Sequence, residues 1–270
     1  MDMFPSGTVS CNRPSSPYRF LRNDGPIGFA HRGGAAEGDE NTAAAFGRAV
    51  AAGFRYLETD VHASADGVAV LFHDADLSRL TGDPRTVESL TWRELGAIRH
   101  RGEPLIPRLD EVVAAWPGVR FNLDVKSGAS VAPTLRVVER AAAVDRVLVS
   151  SFDDARLARV RADSSPRLAT GMGRREVARL WLASRLPGTG LAGYVHRAAA
   201  VQVPLRYRGL TVVDRRLVDH AHRLGLQVHV WTVDDPGMMR ALLDLGVDGI
   251  MTDRIDILAD VYRSRGIWPA

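Results

Sequence analysis

IGFAHRGGAAEGDENTAAAFGRAVAAGFRYLETDVH, residues 27–62, is the stretch that decides the fold. A short apolar run, IGFAH, stops at a charged turn. TAAAFGRAVAAG then repeats apolar residues at helical spacing and ends in glycine, and YLETDV opens a second strand. Strand, helix and strand in this order predict a parallel βα unit. The first turn, HRGGAAEGDENT, lacks the GxGxxG that a doubly wound dinucleotide-binding sheet carries there. It places an imidazole, a guanidinium and carboxylates at the strand's C-terminal end instead. Six further runs follow the same rhythm: VRFNLDVK (119–126), RVLVSS (146–151), RLAT (167–170), AAVQVP (199–204), LQVHVWT (226–232) and DGIMTD (248–253). Amphipathic segments such as APTLRVVERAAA, DDARLARVRAD and PGMMRALLDLG lie between most of them. Eight strands and eight crossovers in about 245 residues predict an α/β fold, the (β/α)8 TIM barrel.

Residues 1–24 are polar, rich in Ser and Pro and without apolar period, so they are assigned to an N-terminal arm; residues 25–270 form the barrel. A second apolar run, VAVLF, follows strand two as a hairpin partner. The segment from 74 to about 107 is too long for a simple βα loop and is read as a small lid-like insertion over the barrel mouth. Lys and Arg number 35 against 32 Asp and Glu, a net charge of +3 that is dispersed along the helices, which argues against a nucleic-acid partner. Every apolar run is interrupted well short of a spanning helix, and the N-terminus lacks the pattern of a secretory signal, so no integral membrane segment is expected. Cys11 is the single cysteine. Without a possible intrachain disulfide, a cytoplasmic location is expected. All but one of the basic residues are arginine; the exception is Lys126. Oligomeric state is not legible.

Strand periodicity places Glu58 and Asp60 on one face at the C-terminal end of strand two, and Asp124 and Lys126 likewise at the end of strand three. Three converging carboxylates repel, so they either raise a pKa or bind a cation; the oxygen donors fit Ca²⁺ or Mg²⁺. Each two-residue pattern is also what an ordinary ion pair looks like. His31-Arg32 and His73-Asp74 each follow an apolar strand, as general acid/base groups and anion clamps would. His62, His100, His196, His220, His222 and His229 read as structural, His62 at the start of a turn and His229 in packing.

The motifs FAHRG, ENTAAAF, YLETDVHASADGVAVLFHD, FNLDVKS, VHVWTVDD and GVDGIMTDRIDIL, in this order, resemble the glycerophosphodiester phosphodiesterases over most of the chain from Ile27 to Ala259. The resemblance implies a TIM barrel with an insertion after the strand-two hairpin. It also implies metal-dependent hydrolysis of small glycerophosphodiesters to sn-glycerol 3-phosphate and an alcohol. By its pattern, His31 and His73 are the acid/base pair, and Arg32 and Lys126 contact phosphate. Glu58, Asp60 and Asp124 are the metal ligands for Ca²⁺ or Mg²⁺, Glu40 braces the site, and Trp231, with Gln202 as a weaker candidate, faces the glycerol. Asp124 stands where the family often has glutamate, and the lost methylene shortens its reach by about 1.3–1.5 Å, which bears on metal affinity. Two alternatives are a lysophospholipase D-type enzyme, for which LWLASRLPGTGLAGY (180–194) would supply an apolar surface, and a silent phosphate-binding barrel.

Overall fold

The computed structural model describes residues 16–186 and 197–269. Each of the eight expected strand runs contains an observed strand. They are β1 (Ile27–Ala30), β2 (Tyr56–Ala63), β3 (Arg120–Val125), β4 (Val147–Ser150), β5 (Ala169–Thr170), β6 (Ala200–Pro204), β7 (Gln227–Trp231) and β8 (Gly249–Thr252). All neighbouring pairs are parallel, in the order β5-β4-β3-β2-β1-β8-β7-β6. A single parallel bridge from Gly171 to Ala200 joins the two ends and closes the barrel. The surrounding helices are α1 (Ala43–Ala51), α2 (Leu109–Ala115), α3 (Gly128–Arg140), α4 (Asp154–Asp163), α5 (Arg174–Ala183), α6 (Arg215–Arg223), α7 (Pro236–Leu245) and α8 (Ile255–Ser264). Thr42, Ser127, Asp153, Asp214 and Asp235 cap five of them through side-chain oxygens that accept backbone N–H bonds.

The period of two sorts the strand residues into two cores. Leu57 and Val61 of β2, with Phe121, Leu123 and Val125 of β3, point outward and pack with Phe46, Ala49 and Val131 under the helices. Tyr56 points inward and packs with Phe29, Leu148, Ala200 and Met251 at the barrel's lower end. Glu58 and Asp60 therefore also point inward, one and two layers above Tyr56, and the β2–β3 register sets Glu58 beside Asn122 and Asp60 beside Asp124. A layer that barrels usually fill with branched apolar chains is polar here.

Two sequence expectations change. The segment assigned as an arm enters the core: Arg19–Leu21 form one turn whose Phe20, 1% exposed, closes the barrel floor against Tyr56 and Phe29. The Tyr56 hydroxyl donates to the Phe20 carbonyl at 3.0 Å. Three residues are too few to show a hydrophobic period, so the pattern could not reveal them. Cys11 and the rest of residues 1–15 lie outside the described residues. The insertion does contain its own small core of Leu77, Val87, Leu90, Leu95, Leu105 and Ile106, packed on Val70 and Phe72 of the hairpin. It stands beside the barrel mouth and does not cover it, because none of residues 74–107 lines the main cavity.

Candidate active site

The first βα turn is shaped by backbone sterics. Arg32 takes a left-handed φ of 51°, and Gly33 and Gly34 follow at 85° and 90°. A Cβ on Gly33 would come within 2.9 Å of Ala45 and Phe46, and one on Gly34 within 2.8 Å of Ile255, so glycine is required at both. The turn directs His31 and Arg32 into the mouth. His31 Nδ1 lies 2.8 Å from Asp253 Oδ1, and its Nε2 lies 3.8 Å from Glu58 Oε2. The Arg32 backbone N–H donates to Glu58 Oε2 at 3.0 Å, while its guanidinium reaches Glu40 at 3.1 Å and Asp60 at 3.3 Å. On the other side, His73 Nδ1 is 2.6 Å from Asp74 Oδ1.

Lys126 is the centre of charge. Its ammonium lies 2.6 Å from Asp60 and 2.7 Å from Asp124. Asn41 Nδ2 donates to Asp60 at 2.9 Å, and its Oδ1 accepts from the Thr59 hydroxyl and the Asp60 N–H. Burial raises the carboxylate pKa values here, and neighbours then divide them. Glu58, buried and beside Asp60, is pushed up to about 7. Asp60 is equally buried, yet Lys126 and Arg32 hold it below the ordinary aspartate value. Asp124 is raised, by burial and then by Asp60, against the pull of Lys126. His31 is lowered by burial but raised further by Glu58 and Asp253, and the net direction is upward.

All the expected site residues except Glu40 line one cavity of about 520 Å³ at the C-terminal end of the barrel. Glu40 does not line the cavity and pairs with the Arg32 guanidinium at 3.1 Å. Trp231 stands in the cavity wall with its ring edge-on to Phe152 at 5.6 Å, and Gln202 reaches the floor. The wall opposite the charged groups is apolar: Phe152, Trp181, Leu182, Tyr207, Leu210 and Trp231. Four of these are unusually open for large apolar side chains, Phe152 at 49%, Leu182 at 44%, Tyr207 at 51% and Leu210 at 58%. The stretch 180–194, named above for the lysophospholipase alternative, contributes Trp181 and Leu182 to the cavity wall; its residues 187–194 lie outside the described part, as does His196.

Asp253, Asp74, Asn41 and Arg79 were not picked out by sequence reasoning as site residues. Asp253 and Asp74 follow apolar strand runs as His31 and His73 do, so position along the strand could have found them. Asn41 precedes Thr42, the cap of α1, and its amide donates to Asp60. His62 is not in a turn. It continues β2, is 4% exposed, and contacts the His73 carbonyl at 3.4 Å.

Below the cavity a chain of amides crosses the barrel. The Leu21 carbonyl can only accept, so Gln227 donates to it through Nε2, and Gln227 Oε1 accepts from His229 Nε2–H at 3.0 Å. His229 Nδ1 then accepts from Gln202, whose Oε1 accepts from Asn122. This tautomer is neutral, and full burial pushes the His229 pKa down to about 3. Unfolded histidine titrates near 6.5. Between pH 6.5 and about 3 the unfolded chain holds a proton that the folded chain does not, so His229 destabilises the fold as the pH drops through this window. The expected slope is up to about 1.4 kcal/mol per pH unit. Urea unfolding of the wild type and His229→Gln at several pH values checks it: the variant should show a shallower acid dependence whatever its stability at neutral pH.

The barrel mouth gathers two carboxylate-held histidines with a lysine and an arginine, a set of groups that suits an anionic substrate. Comparison with known proteins sharpens this class. Residues 31–257 match the model of the glycerophosphoryl diester phosphodiesterase family, and the chain belongs to that family. It is 39% identical over 252 residues to "Probable glycerophosphodiester phosphodiesterase 2" of Mycobacterium tuberculosis, covering 92% of this chain and 95% of that one. It is 28% identical to the lysophospholipase D GDPD1 of Homo sapiens, over 83% of this chain and 82% of that one. The crystal structure of a glycerophosphodiester phosphodiesterase from Agrobacterium tumefaciens superposes with a TM-score of 0.72 at 25% identity, over 88% of this chain and 99% of that one. An Oleispira antarctica phosphodiesterase solved with the product sn-glycerol-3-phosphate shares the fold, with a TM-score of 0.73, 23% identity and coverage of 88% and 97%. The chain is thus a phosphodiesterase whose family hydrolyses glycerophosphodiesters. Among the described residues, no helix is long and apolar enough to cross a membrane.

Proposed function

We propose that the protein hydrolyses small glycerophosphodiesters to sn-glycerol 3-phosphate and an alcohol, with His31 and His73 as the general acid/base pair. The observation that carries this reading is the pairing of each histidine's Nδ1 with a carboxylate, Asp253 or Asp74, in a turn at the mouth that also holds Arg32 and Lys126. Such pairing fixes the ring and leaves Nε2 for chemistry. One histidine takes the proton from the attacking oxygen and the other returns a proton to the departing alkoxide; where the neighbouring glycerol hydroxyl attacks in place of water, the cyclic phosphate formed is opened by water in a second displacement that yields glycerol 3-phosphate. Arg32 and Lys126 neutralise phosphate oxygens as charge builds.

Glu58, Asp60 and Asp124 would hold a divalent cation, Ca²⁺ or Mg²⁺. Among the described residues no three acidic or histidine side chains form a ready metal cluster, and Lys126 stands between Asp60 and Asp124. What supports the reading is the chemistry of the donors: three buried carboxylates share one cavity, and among the described residues no lysine or arginine side chain pairs with Glu58. Buried carboxylates in that state favour a hard cation. When bound, the ion would supply Lewis-acid polarisation of the phosphoryl oxygen.

The test is release of glycerol 3-phosphate from glycerophosphocholine by purified protein, after chelation and with Ca²⁺ or Mg²⁺ restored. Turnover should vanish with chelator and return with one of the ions; turnover indifferent to chelation would remove the metal from the proposal. The open apolar wall favours a second reading, a lysophospholipid substrate with its chain along Phe152, Leu182, Tyr207 and Leu210. Each methylene buried there is worth about 0.8 kcal/mol, so KM should fall roughly fourfold per CH₂ in a short-chain lysophosphatidylcholine series. A flat series would exclude this reading.

A further inference from the structure

The insertion reaches the carboxylates behind the site through Arg79, from the short helix Ser78–Thr81. Its guanidinium engages two carboxylates at once. Nη2 and Nη1 donate to Glu40 at 2.5 and 3.2 Å, and Nε donates to Asp74 at 2.6 Å. Glu40 is the carboxylate behind Arg32, and Asp74 is the carboxylate behind His73. Guanidinium, carboxylate, guanidinium, carboxylate and imidazole therefore form an unbroken chain, Arg32, Glu40, Arg79, Asp74, His73, which links the β1–α1 turn to the hairpin loop across the side of the mouth.

We propose that Arg79 is a positioning residue that sets Arg32 and His73 relative to one another, so that the insertion acts as a buttress for catalysis. The proposal rests on the phosphodiesterase reading, in which those two groups act on the substrate. Three features carry it. Only a rigid planar fork can bind one carboxylate bidentately and another through Nε, a task that a lysine's single point charge cannot perform. The fork's own place is set by the insertion core, where the neighbouring Leu77 is buried and Leu80 packs against the same cluster. A second tie binds the insertion to the same turn, from Arg101 Nη1 to the Glu37 carbonyl at 3.2 Å. A half-exposed arginine leaves no cavity when truncated, since its side chain is 47% open. What its removal releases is orientation: without Arg79, Glu40 and Asp74 lose their common partner, and a displacement of about 1 Å at reacting groups can cost on the order of 10²-fold in rate.

The experiment is steady-state kinetics on glycerophosphocholine for wild type, Arg79→Ala, Arg79→Lys, Asp74→Asn and the Arg79→Ala/Asp74→Asn double variant, with His73→Ala as reference. Arg79→Ala should lower kcat by about 10- to 100-fold with KM and melting temperature nearly unchanged. Arg79→Lys should recover part of the loss, and Arg79→Ala should cost much less in the Asp74→Asn background, because the two residues act as a unit. An Arg79→Ala kcat within about threefold of wild type while His73→Ala is inactive would overturn this proposal and leave the phosphodiesterase reading standing. Additive single effects, or a kcat loss matched by a fall in melting temperature, would also overturn it. A wild-type protein without turnover would overturn both.

Discussion

His31→Ala is expected to lower kcat on glycerophosphocholine by about 10²- to 10⁴-fold, the range that a positioned acid or base contributes. The ring is 15% exposed, and its Nε2 lies at the cavity, 3.8 Å from Glu58. Asp253, just past β8, anchors the opposite nitrogen at 2.8 Å. KM should change far less than kcat, because the imidazole is needed when protons move and the phosphate is held by others. His73→Ala should behave alike. The double variant should fall little below the worse single one, since an acid and a base that serve one displacement lose their value together. Stopped assays of glycerol 3-phosphate for the four proteins decide the matter, and a His31→Ala enzyme within tenfold of wild type would remove His31 from the chemistry.

Asp60→Asn is expected to reduce kcat/KM by about 10³-fold while the protein stays folded. The substitution keeps the shape, and an amide oxygen can still accept from Asn41. What disappears is the charge that Lys126, at 2.6 Å, and Arg32, at 3.3 Å, both face. Lys126 then keeps Asp124 alone, and its raised pKa, which those two carboxylates sustain against burial, should fall. Under the proposed metal reading the same change weakens ion binding, which calorimetric titration with Ca²⁺ or Mg²⁺ measures apart from turnover. An Asp60→Asn enzyme with near wild-type kcat/KM and an unchanged circular dichroism spectrum would show that the buried charge cluster is structural.

Much of this site was legible because barrel strands impose a simple rule. In YLETDVH and NLDVK, alternation sends every second residue inward, and the end of a strand is where an inward polar residue meets the mouth. Glu58, Asp60, Asp124 and Lys126 follow from that rule, and His31 and His73 follow from standing just past a strand. The rule fails where partners come from distant segments. Asp253 meets His31 across 222 positions of sequence, and Arg79 meets Glu40 across 39. No periodicity encodes such pairs, because they depend on how turns end.

The sequence by itself determined the eight-fold strand and helix alternation, the inward face of each strand, and the residue types gathered at the mouth. These are local properties, set by the two-residue period of strands and the 3.6-residue period of helices. Only the tertiary structure decided that Phe20 closes the floor, that the insertion stands beside the mouth, that an apolar wall faces the charged one, and that Lys126 lies between two aspartates. Burial and charge pairing are sums over segments far apart in the chain. They take their value from the closed barrel, in which Glu58 and Asp60, two residues apart on one strand, end with opposite pKa shifts because the Lys126 ammonium and the Arg32 guanidinium pair directly with Asp60, while burial and Asp60 outweigh the weaker pull on Glu58.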